Sequence, residues 1–400
     1  MKKFWMAILG LTACATVTMA VEEHPFHVWN RFRVGYDDNI YRVSGNGALD
    51  VKESLRLIEE IETLLNLNYG ATYLSIRYRP SVTWVEARDD DNFDVLHDLN
   101  VDFNHKFSRV LSLDLSDTLR AGQMPELHDG DYVVREDDDN YYNSAIAALM
   151  FQVAPKTRID LSGRFISLTY TSDSEAKKYS DYITAVGGLT VRQQLTQLSS
   201  VMADFRYQYL SYDKNPQGFD RDAQMFYGGI GYEQTLSRYF IASLRGGVEQ
   251  REYDEDDYDD NTQPYVEAAL TFMPVEDFRS TLAASYSIYE SDIANYMSQD
   301  RTYISASVAW DMTAKISLYG AVIYSKNQYE ADYAKKTDVQ TVLKDGDEDT
   351  FTVSTRLSYQ VNRYNWLECN YQFLKLDSEI PGREEYDNNR VDVAWRIQLF

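Results

Sequence analysis

The last ten residues of the chain place the tightest constraint on its fold. Apolar residues recur there at every second position and lie on one face of an extended ribbon: Val391, Val393, Trp395, Ile397 and Leu399. Polar residues dominate the other face, and the chain ends on Phe400. The final strand of an outer-membrane barrel has this pattern, because it must close the sheet so that no edge faces lipid. This strand therefore predicts an all-β transmembrane barrel, with the barrel-assembly machinery as a partner that contacts the strand.

The same period of two residues recurs along the chain in segments of about ten to fourteen residues, the length a tilted strand needs to cross a bilayer. Eighteen such segments lie near 26–36, 55–69, 72–86, 94–107, 109–121, 140–153, 157–170, 179–193, 199–212, 223–235, 239–253, 263–273, 278–290, 299–312, 316–329, 349–361, 365–377 and 388–400. Short connections alternate with longer acidic ones, as in bacterial barrels with short periplasmic turns and long external loops. We therefore expect an antiparallel barrel of about eighteen strands with both termini in the periplasm.

Two segments leave this strand assignment open. Residues 52–66 carry apolar side chains that also fit a helical period of 3.6 residues, and a helix there would reduce the barrel to sixteen strands. Pro80 lies inside the third strand, although a closed barrel offers proline no free edge. It marks either a bulge or the end of the membrane-crossing part.

The N-terminus indicates export. Lys2 and Lys3 precede an apolar run, and the small residues that end at Ala20 resemble a signal-peptidase site. Residues 1–20 are thus predicted to be a signal peptide, and residues 21–400 an outer-membrane barrel domain. An alternative is lipidation of Cys14, since residues 11–14 resemble a lipoprotein box.

Composition narrows the environment and the partners. After residue 20 there is no apolar run of about 20 residues, as a membrane-spanning helix requires. A mean hydropathy of −0.47 suits alternating strands around a polar lumen. The 32 Tyr residues suit aromatic belts at the membrane interfaces. We expect outer-membrane lipid and lipopolysaccharide as partners, whereas a net charge of −24 argues against nucleic acid.

Alternation also predicts which charged residues point into the lumen. Eleven residues form the predicted lining of the pore: Arg77, Arg79, Asp98, Asp102, Asp114, Arg158, Arg164, Arg206, Arg245, Arg356 and Arg396. Glu60 and Glu62 on the second strand fall on the same face. These charges could form a constriction that selects a polar solute. Alternatively, they form salt bridges that satisfy buried charge and stiffen the wall.

Neither catalysis nor a cofactor is indicated. Acidic clusters lie in predicted external loops near residues 88–91, 136–139, 254–257 and 345–349, but none has the spacing of a calcium-binding loop. They are interpreted as solvated loop tips, and no metal site is predicted. His128 beside Asp129 is the one candidate for acid–base chemistry, and an isolated loop histidine is a weak signal. We therefore predict a protein that is not an enzyme.

Two short motifs resemble a family of outer-membrane β-barrel porins. They are residues 34–39 (Val-Gly-Tyr-Asp-Asp-Asn) and residues 78–82 (Tyr-Arg-Pro-Ser-Val). The resemblance implies a porin-like channel for small polar solutes, or for polysaccharide, since some similar proteins accompany exopolysaccharide secretion. A non-conducting structural or surface-binding barrel is the alternative. The chain departs from the usual terminal strand of such barrels in one respect. Phe400 is expected to share a face with Gln398 rather than with the apolar residues before it.

Overall fold

The computed structural model describes residues 25–45, 50–88, 92–122, 127–129, 132–134, 139–171, 179–215, 220–254, 260–291, 296–329, 345–380, 383 and 385–400. All of the regular secondary structure in these ranges is β-strand. Within these ranges, no helix is long and apolar enough to span a membrane. The predicted signal peptide and Cys14 lie outside the described residues.

The strands, numbered in chain order, are β1 (Phe26–Asp37), β2 (Ser54–Tyr69), β3 (Thr72–Tyr78), β4 (Ser81–Val85), β5 (Phe93–Lys106), β6 (Leu111–Gly122), β7 (Leu127–Asp129), β8 (Tyr132–Val134), β9 (Asn140–Ala154), β10 (Thr157–Tyr170), β11 (Tyr182–Gln194), β12 (Ser199–Tyr212), β13 (Ala223–Ser237), β14 (Phe240–Tyr253), β15 (Asn261–Val275), β16 (Phe278–Glu290), β17 (Ser298–Thr313), β18 (Ile316–Tyr329), β19 (Gly346–Asn362), β20 (Asn365–Ser378) and β21 (Tyr386–Gln398).

These strands form one closed antiparallel barrel. Nineteen of them belong to a single sheet, and β7 and β8 form a separate two-stranded hairpin. Because β3 and β4 lie end to end between β2 and β5, the wall has eighteen strand positions. The barrel closes where β1 pairs with β21, from Trp29 opposite Gln398 to Asp37 opposite Arg390. The prediction of eighteen antiparallel strands is confirmed, and the sixteen-strand alternative is wrong.

The ambiguous second segment is a strand. β2 pairs with β1 over twelve residues and with β3 and β4 on its other edge. Ile58 and Glu60 are buried, whereas Leu57 and Ile61 on either side of them are exposed, which is the alternation of a strand. Partners on both edges supply most of the backbone hydrogen bonds that a helix would form internally, so tertiary context overrides the local helical period.

Pro80 interrupts the assigned strand without shifting its register. Thr63 pairs with Tyr78 and Glu60 with Ser81, so the pairing continues unchanged across the proline. The amide of Ile61 still donates to the carbonyl oxygen of Pro80 at 3.1 Å. The predicted bulge is therefore wrong, whereas the other prediction, that the membrane-crossing part ends at Pro80, stays a prediction. The cost is one missing N–H donor in the ladder.

The two ends of the barrel differ in their connections. At the short-turn end, strands are joined by tight turns such as Gly70–Ala71 and Pro155–Lys156. At the opposite, long-loop end the connections are longer, as between β18 and β19. Pro25 and Phe400 both lie at the short-turn end, where the carbonyl oxygen of Pro25 accepts from Asn66 at 2.7 Å.

The last residue does not follow the parity expected from the sequence. β21 ends at Gln398, and the amides of Leu399 and Phe400 both donate to the carbonyl oxygen of Val28, at 2.8 and 3.3 Å. This irregularity places the Phe400 ring 6.1 Å from that of Phe26, on the apolar side. The expectation that Phe400 shares the face of Gln398 is therefore wrong.

Contacts between strands that are not neighbours identify the inner face of the wall. Arg206 on β12 is 3.4 Å from Glu267 on β15, and Arg31 on β1 is 3.0 Å from Glu368 on β20. Such contacts can form only across the interior. The outer face is apolar, and at the short-turn end it carries a belt of touching rings: Phe240, Phe272, Phe278 and Trp310. Aromatic belts of this kind mark the membrane interface of outer-membrane barrels.

Candidate channel interior

The register places all eleven residues of the predicted pore lining on the inner face. Most of them are engaged with other side chains. Arg79 forms an ion pair with Asp98 at 2.7 Å, and Arg158 with Asp160 at 2.8 Å. The guanidinium of Arg356 donates to the side-chain oxygen of Asn370 at 2.9 Å. Much of the interior charge is thus paired along the wall, which is the arrangement of the salt-bridge alternative.

Asp114 also has a side-chain partner, whereas Arg77 and Asp102 do not. Asp114 accepts a hydrogen bond from the side chain of Asn104. The side chains of Arg77 and Asp102 form no hydrogen bond or ion pair with any other residue of the described part of the chain. Both lie on neighbouring strands, β3 and β5, and face the lumen. They therefore present their charges to solvent in the lumen.

A chain of alternating charges crosses the seam where the barrel closes. Glu60 lies between Arg33, at 2.8 Å, and Arg31, which it contacts directly. Arg31 continues to Glu368, which also lies 3.3 Å from Arg396. Glu60 and Glu368 are 4% and 3% exposed, so each negative charge is shielded from water and shared by two guanidiniums. These interactions tie β2, β1, β21 and β20 together across the closure.

A second charged group lies nearer the long-loop end of the same seam. Asp37, which is 1% exposed, is 2.6 Å from Arg390 and 3.5 Å from Arg56. The side-chain amide of Asn388 donates to the same carboxylate at 2.6 Å. The residues that follow β1 turn inward, so that Ile40 and Arg42 are both buried.

A third group spans β12, β14 and β15. Arg206 lies 3.1 Å from Asp204 on its own strand and 3.4 Å from Glu267. Arg245 lies 3.3 Å from Glu267 and 3.8 Å from Asp204. The Arg206 guanidinium also lies over the ring of Tyr265, at 5.2 Å from its centroid.

The interior is filled on one side at the long-loop end. A cluster of buried side chains projects inward from β9 to β15: Tyr142, Ile166, Leu168, Tyr182, Leu210, Tyr212, Ala223, Met225, Tyr227, Tyr253 and Tyr265, joined by Met297. The aromatic belts predicted from the tyrosine content do not account for this cluster, in which six tyrosines are buried on the inner face. The missed signal is that each of these tyrosines occupies an inward position close to the loop end of its strand.

The hairpin of β16 and β17 closes over this cluster. The ladder between β15 and β16 ends at Tyr286, whereas β16 remains paired with β17 up to Glu290. Glu249 on β14 accepts hydrogen bonds from the Ser287 hydroxyl at 2.6 Å and from the Ile288 amide at 2.7 Å. Glu290 accepts from Gln208 on β12 at 2.8 Å. The hairpin therefore reaches across the interior to strands that are not its neighbours.

Tyr296, which precedes β17, packs against the strand on the other side of the hairpin. The Tyr296 ring lies 5.4 Å from that of Tyr329 on β18, and both are buried with Ile380. This burial raises the pKa of Tyr296, whose phenolate would be poorly solvated there. Together with Ile40 and Arg42, these residues narrow the interior at the long-loop end.

Among the described residues, two cavities lie open on the other side of the barrel. The first, of about 450 Å³, begins at loop residues Ile40 and Arg42 and extends along β1, β2 and β18 to β21. The second, of about 440 Å³, ends at the turn residues Glu276 and Asp277. Both are lined by Tyr319 and Arg356. A third cavity, of about 340 Å³, lies against β9 to β12 and shares no lining residue with the other two.

The acidic clusters predicted in the loops are only partly described. Residues 89–91, 136–138 and 255–257, and the side chain of His128, lie outside the described residues. In the fourth cluster, Asp347 is 2.6 Å from Lys326 and Glu348 is 2.8 Å from Arg383. Asp349 accepts from the Tyr324 hydroxyl at 2.7 Å. Among described residues, no group of three or more His, Cys, Asp or Glu side chains could hold a metal ion.

The fold is similar to solved outer-membrane channels at low sequence identity. OccAB3 from Acinetobacter baumannii is 12% identical, with 94% of this chain and 99% of that chain covered and a TM-score of 0.48. OpdK from Pseudomonas aeruginosa is 9% identical, with 93% and 99% covered and a TM-score of 0.49. OccK2 from Pseudomonas aeruginosa, solved in complex with glucuronate, is 9% identical, with 94% and 98% covered and a TM-score of 0.47. In a comparison with curated proteins, nothing matches the chain.

Family membership rests on a match that spans nearly the whole barrel. The model of the family described as "Putative beta-barrel porin 2" matches residues 31–399, from the first strand to the residue before the C-terminus. The chain thus has the family's sequence pattern together with a closed eighteen-strand wall, an apolar outer face and a charged interior. It belongs to the "Putative beta-barrel porin 2" family and is a porin-like β-barrel of the outer membrane.

Proposed function

We propose that this protein is a channel for small polar solutes and that solutes pass along one side of its lumen. The observation that carries the proposal is the pair of residues, Tyr319 and Arg356, that line both open cavities. One cavity reaches loop residues at the long-loop end and the other reaches turn residues at the short-turn end. Joined at this pair, they form a path along the length of the barrel.

The charges that line the first cavity favour small anions. The first cavity is lined by six arginines and three aspartates: Arg33, Arg42, Arg56, Arg88, Arg356, Arg390, Asp37, Asp94 and Asp392. Asp37 is already shared between Arg56 and Arg390. Fixed side-chain charges at a narrow point set the ionic preference of a pore. The part of the path formed by the first cavity is therefore a polar route with an excess of positive charge.

Conductance of the purified protein in a planar lipid bilayer tests the proposal. Wild-type protein is expected to give stepwise insertions with a defined conductance. Arg356→Trp should reduce that conductance, because a large ring would fill the junction of the two cavities. Leu357→Trp is the matched control, because Leu357 is the next residue and points outward with 47% of its side chain exposed. Inserted protein that carries no current, or equal conductance in the two variants, would contradict the proposal.

A non-conducting barrel is the second candidate, favoured by the filled side of the interior. The buried tyrosines and the β16–β17 hairpin fill one side of the lumen at the long-loop end. If the loops also seal the remaining path, the protein would serve as a structural or surface-binding barrel. That function predicts silent bilayers and a rise in the thermal unfolding temperature with Ca²⁺, which the acidic loops would bind.

Polysaccharide is a further candidate cargo. Support comes from Tyr319, which stands in the path with 47% of its side chain exposed and offers an aromatic face to a sugar ring. A neutral oligosaccharide added to one side of the bilayer should then interrupt the current. Uninterrupted current at high oligosaccharide concentration would limit the cargo to smaller solutes.

The membrane partners follow from the outer surface and the seam. We propose that the aromatic belt at the short-turn end contacts membrane lipid at the periplasmic interface and that the long-loop end meets lipopolysaccharide. β21, which supplies one side of the seam, is the strand that the assembly machinery would bind. Crosslinking from Trp395, which is exposed on β21, would report that contact during assembly.

A further inference from the structure

The third cavity lies in the half of the barrel that the proposed path does not use. Its walls are the inner faces of β9 to β12 and the arm of the hairpin from Ser285 to Glu290. Its volume of about 340 Å³ is at the lower end of the range of small-molecule sites, about 300–1,000 Å³. This cavity, the chamber, shares no lining residue with the path.

The chamber is closed toward the long-loop end. Ile166 and Thr184 form its upper wall and are 2% and 1% exposed. Beyond them, the inward residues Leu168, Tyr182 and Leu210 are all buried in the tyrosine cluster. In the opposite direction the wall opens, since Ile146 is 42% exposed and Ser162 is also exposed. The chamber is therefore a blind pocket that opens toward the short-turn end.

One wall of the chamber combines a cation with apolar side chains. In the paired register, Arg164 lies directly between Ile146 on β9 and Val186 on β11. Ile166 follows on the same face of β10. An isoleucine exposed inside a polar lumen leaves apolar surface in contact with water, which costs free energy until something covers it. The guanidinium beside it can bind an anionic group through two parallel hydrogen bonds.

The opposite wall offers little to a cation. Glu290 already lies 3.7 Å from Arg251 and accepts from Gln208. Glu267 is shared by Arg206 and Arg245. By contrast, Thr184 has its hydroxyl oxygen buried with no hydrogen-bond partner among the described residues. A buried hydroxyl without a partner is destabilising, and a ligand that extends to it would remove that cost.

We propose that this blind chamber is a binding site for a small organic anion with an apolar body. The anionic group binds Arg164, and the apolar body covers Ile146 and Val186 beneath the hairpin arm. Because the chamber is closed toward the long-loop end and shares no lining residue with the path, it holds its ligand beside the route between the two ends. The chamber therefore binds a ligand, whereas the other side of the lumen provides the path for solutes.

Binding of 4-fluorobenzoate, followed by fluorine NMR on the purified full-length barrel, tests the proposal. Its resonance should broaden in the presence of wild-type protein, while that of the neutral isostere 4-fluorobenzamide should broaden far less. Arg164→Gln should weaken binding about tenfold or more, because a hydrogen bond to a charged group is lost. Val186→Trp should abolish binding by filling the chamber without changing its charge.

Arg158→Gln is the matched control, since Arg158 lies on the same strand outside the chamber and pairs with Asp160. It should bind 4-fluorobenzoate as the wild type does. Equal broadening of the acid and the amide, binding that survives both chamber variants, or equal losses in Arg164→Gln and Arg158→Gln would overturn the proposal. So would an absence of binding to a wild-type barrel. Conductance is measured independently, so a failed chamber and a failed channel are distinguishable.

Discussion

The Tyr265 hydroxyl donates a hydrogen bond to a carboxylate oxygen of Asp204, at 3.3 Å, across two intervening strands of the wall. In the paired register, Asp204, Gly229, Gly247 and Tyr265 form a single row across β12, β13, β14 and β15. Because both intervening residues are glycines, the tyrosine ring lies flat against the backbone. The row therefore joins β12 to β15 by a side-chain contact, and the side chain of Tyr265 projects little into the lumen.

Replacing Gly229 should disrupt this contact. A Cβ at this position would lie 2.1 Å from the Tyr265 hydroxyl oxygen and 2.8 Å from the backbone oxygen of Gly246. We expect Gly229→Ala to lower the free energy of unfolding by about 1–3 kcal/mol through overpacking. Urea-induced unfolding in lipid vesicles measures this change in the free energy of unfolding. Gly228→Ala is the control, because a Cβ there meets nothing within 4 Å. Equal stability of the two variants would contradict the argument.

Removing one carboxylate from the closure seam should be more costly. Glu368 is 3% exposed and lies between Arg31 and Arg396. We expect Glu368→Gln to lower the free energy of unfolding by about 3 kcal/mol, because two guanidiniums lose the charge that compensates them. Asp377→Asn on the same strand breaks only the exposed pair with Lys375 and should change little. The same unfolding measurement would refute the claim if both variants behaved alike.

The carboxylate that holds the hairpin should control its local opening. Glu249→Ala removes the acceptor of the Ile288 amide and the Ser287 hydroxyl. Hydrogen exchange of the Ile288 amide should become about tenfold faster or more, since a hydrogen bond to a charged group is lost. Glu252→Ala on the same strand removes an acceptor of Gln250 only and serves as control. Unchanged exchange at Ile288 would show that other contacts hold the hairpin.

Ionic selectivity should depend on Arg356. The first cavity has three more arginines than aspartates in its lining, and Arg356 also lines the second cavity. Arg356→Gln should therefore reduce the preference for anions, seen as a shift of the reversal potential in a salt gradient across the bilayer. Arg192→Gln removes one inward arginine that pairs with Glu233 and lines none of the three cavities. A shift of equal size in both variants would mean that the charge of the whole interior, rather than this junction, sets selectivity.

Most of the wall was predictable because its two environments impose opposite demands on alternate residues. Lipid outside and polar surroundings inside force a period of two, so strand number and the inward set that includes Arg206 and Arg356 could be inferred from local pattern alone. Even the helix-like pattern of residues 52–66 resolves into a strand once both neighbours supply ladder partners. Pro80 shows that the wall tolerates a proline, since the loss of one N–H donor leaves the strand register unchanged.

The interior of the barrel was much less predictable. The hydrogen bonds of Glu249 with Ser287 and Ile288 join residues 38 and 39 positions apart, and they require a hairpin that leaves its neighbour strand. No period in the sequence marks that departure, because the residues keep alternating while the backbone bends inward. The end of the chain was unpredictable for a similar reason. The amides of Leu399 and Phe400 share the Val28 carbonyl oxygen, so the alternation of faces that holds along β21 does not extend to Phe400.

The pairing of β1 with β21 also bears on the order of folding. Each of the other wall strands pairs with neighbours close in the chain, whereas Asp37 and Arg390 are 353 positions apart. Closing a loop of that length costs about 5 kcal/mol in chain entropy, far more than any hairpin. The cylinder can seal only after its final segment has been made and inserted. Until then, the first strand would keep an unpaired edge that another polypeptide could occupy.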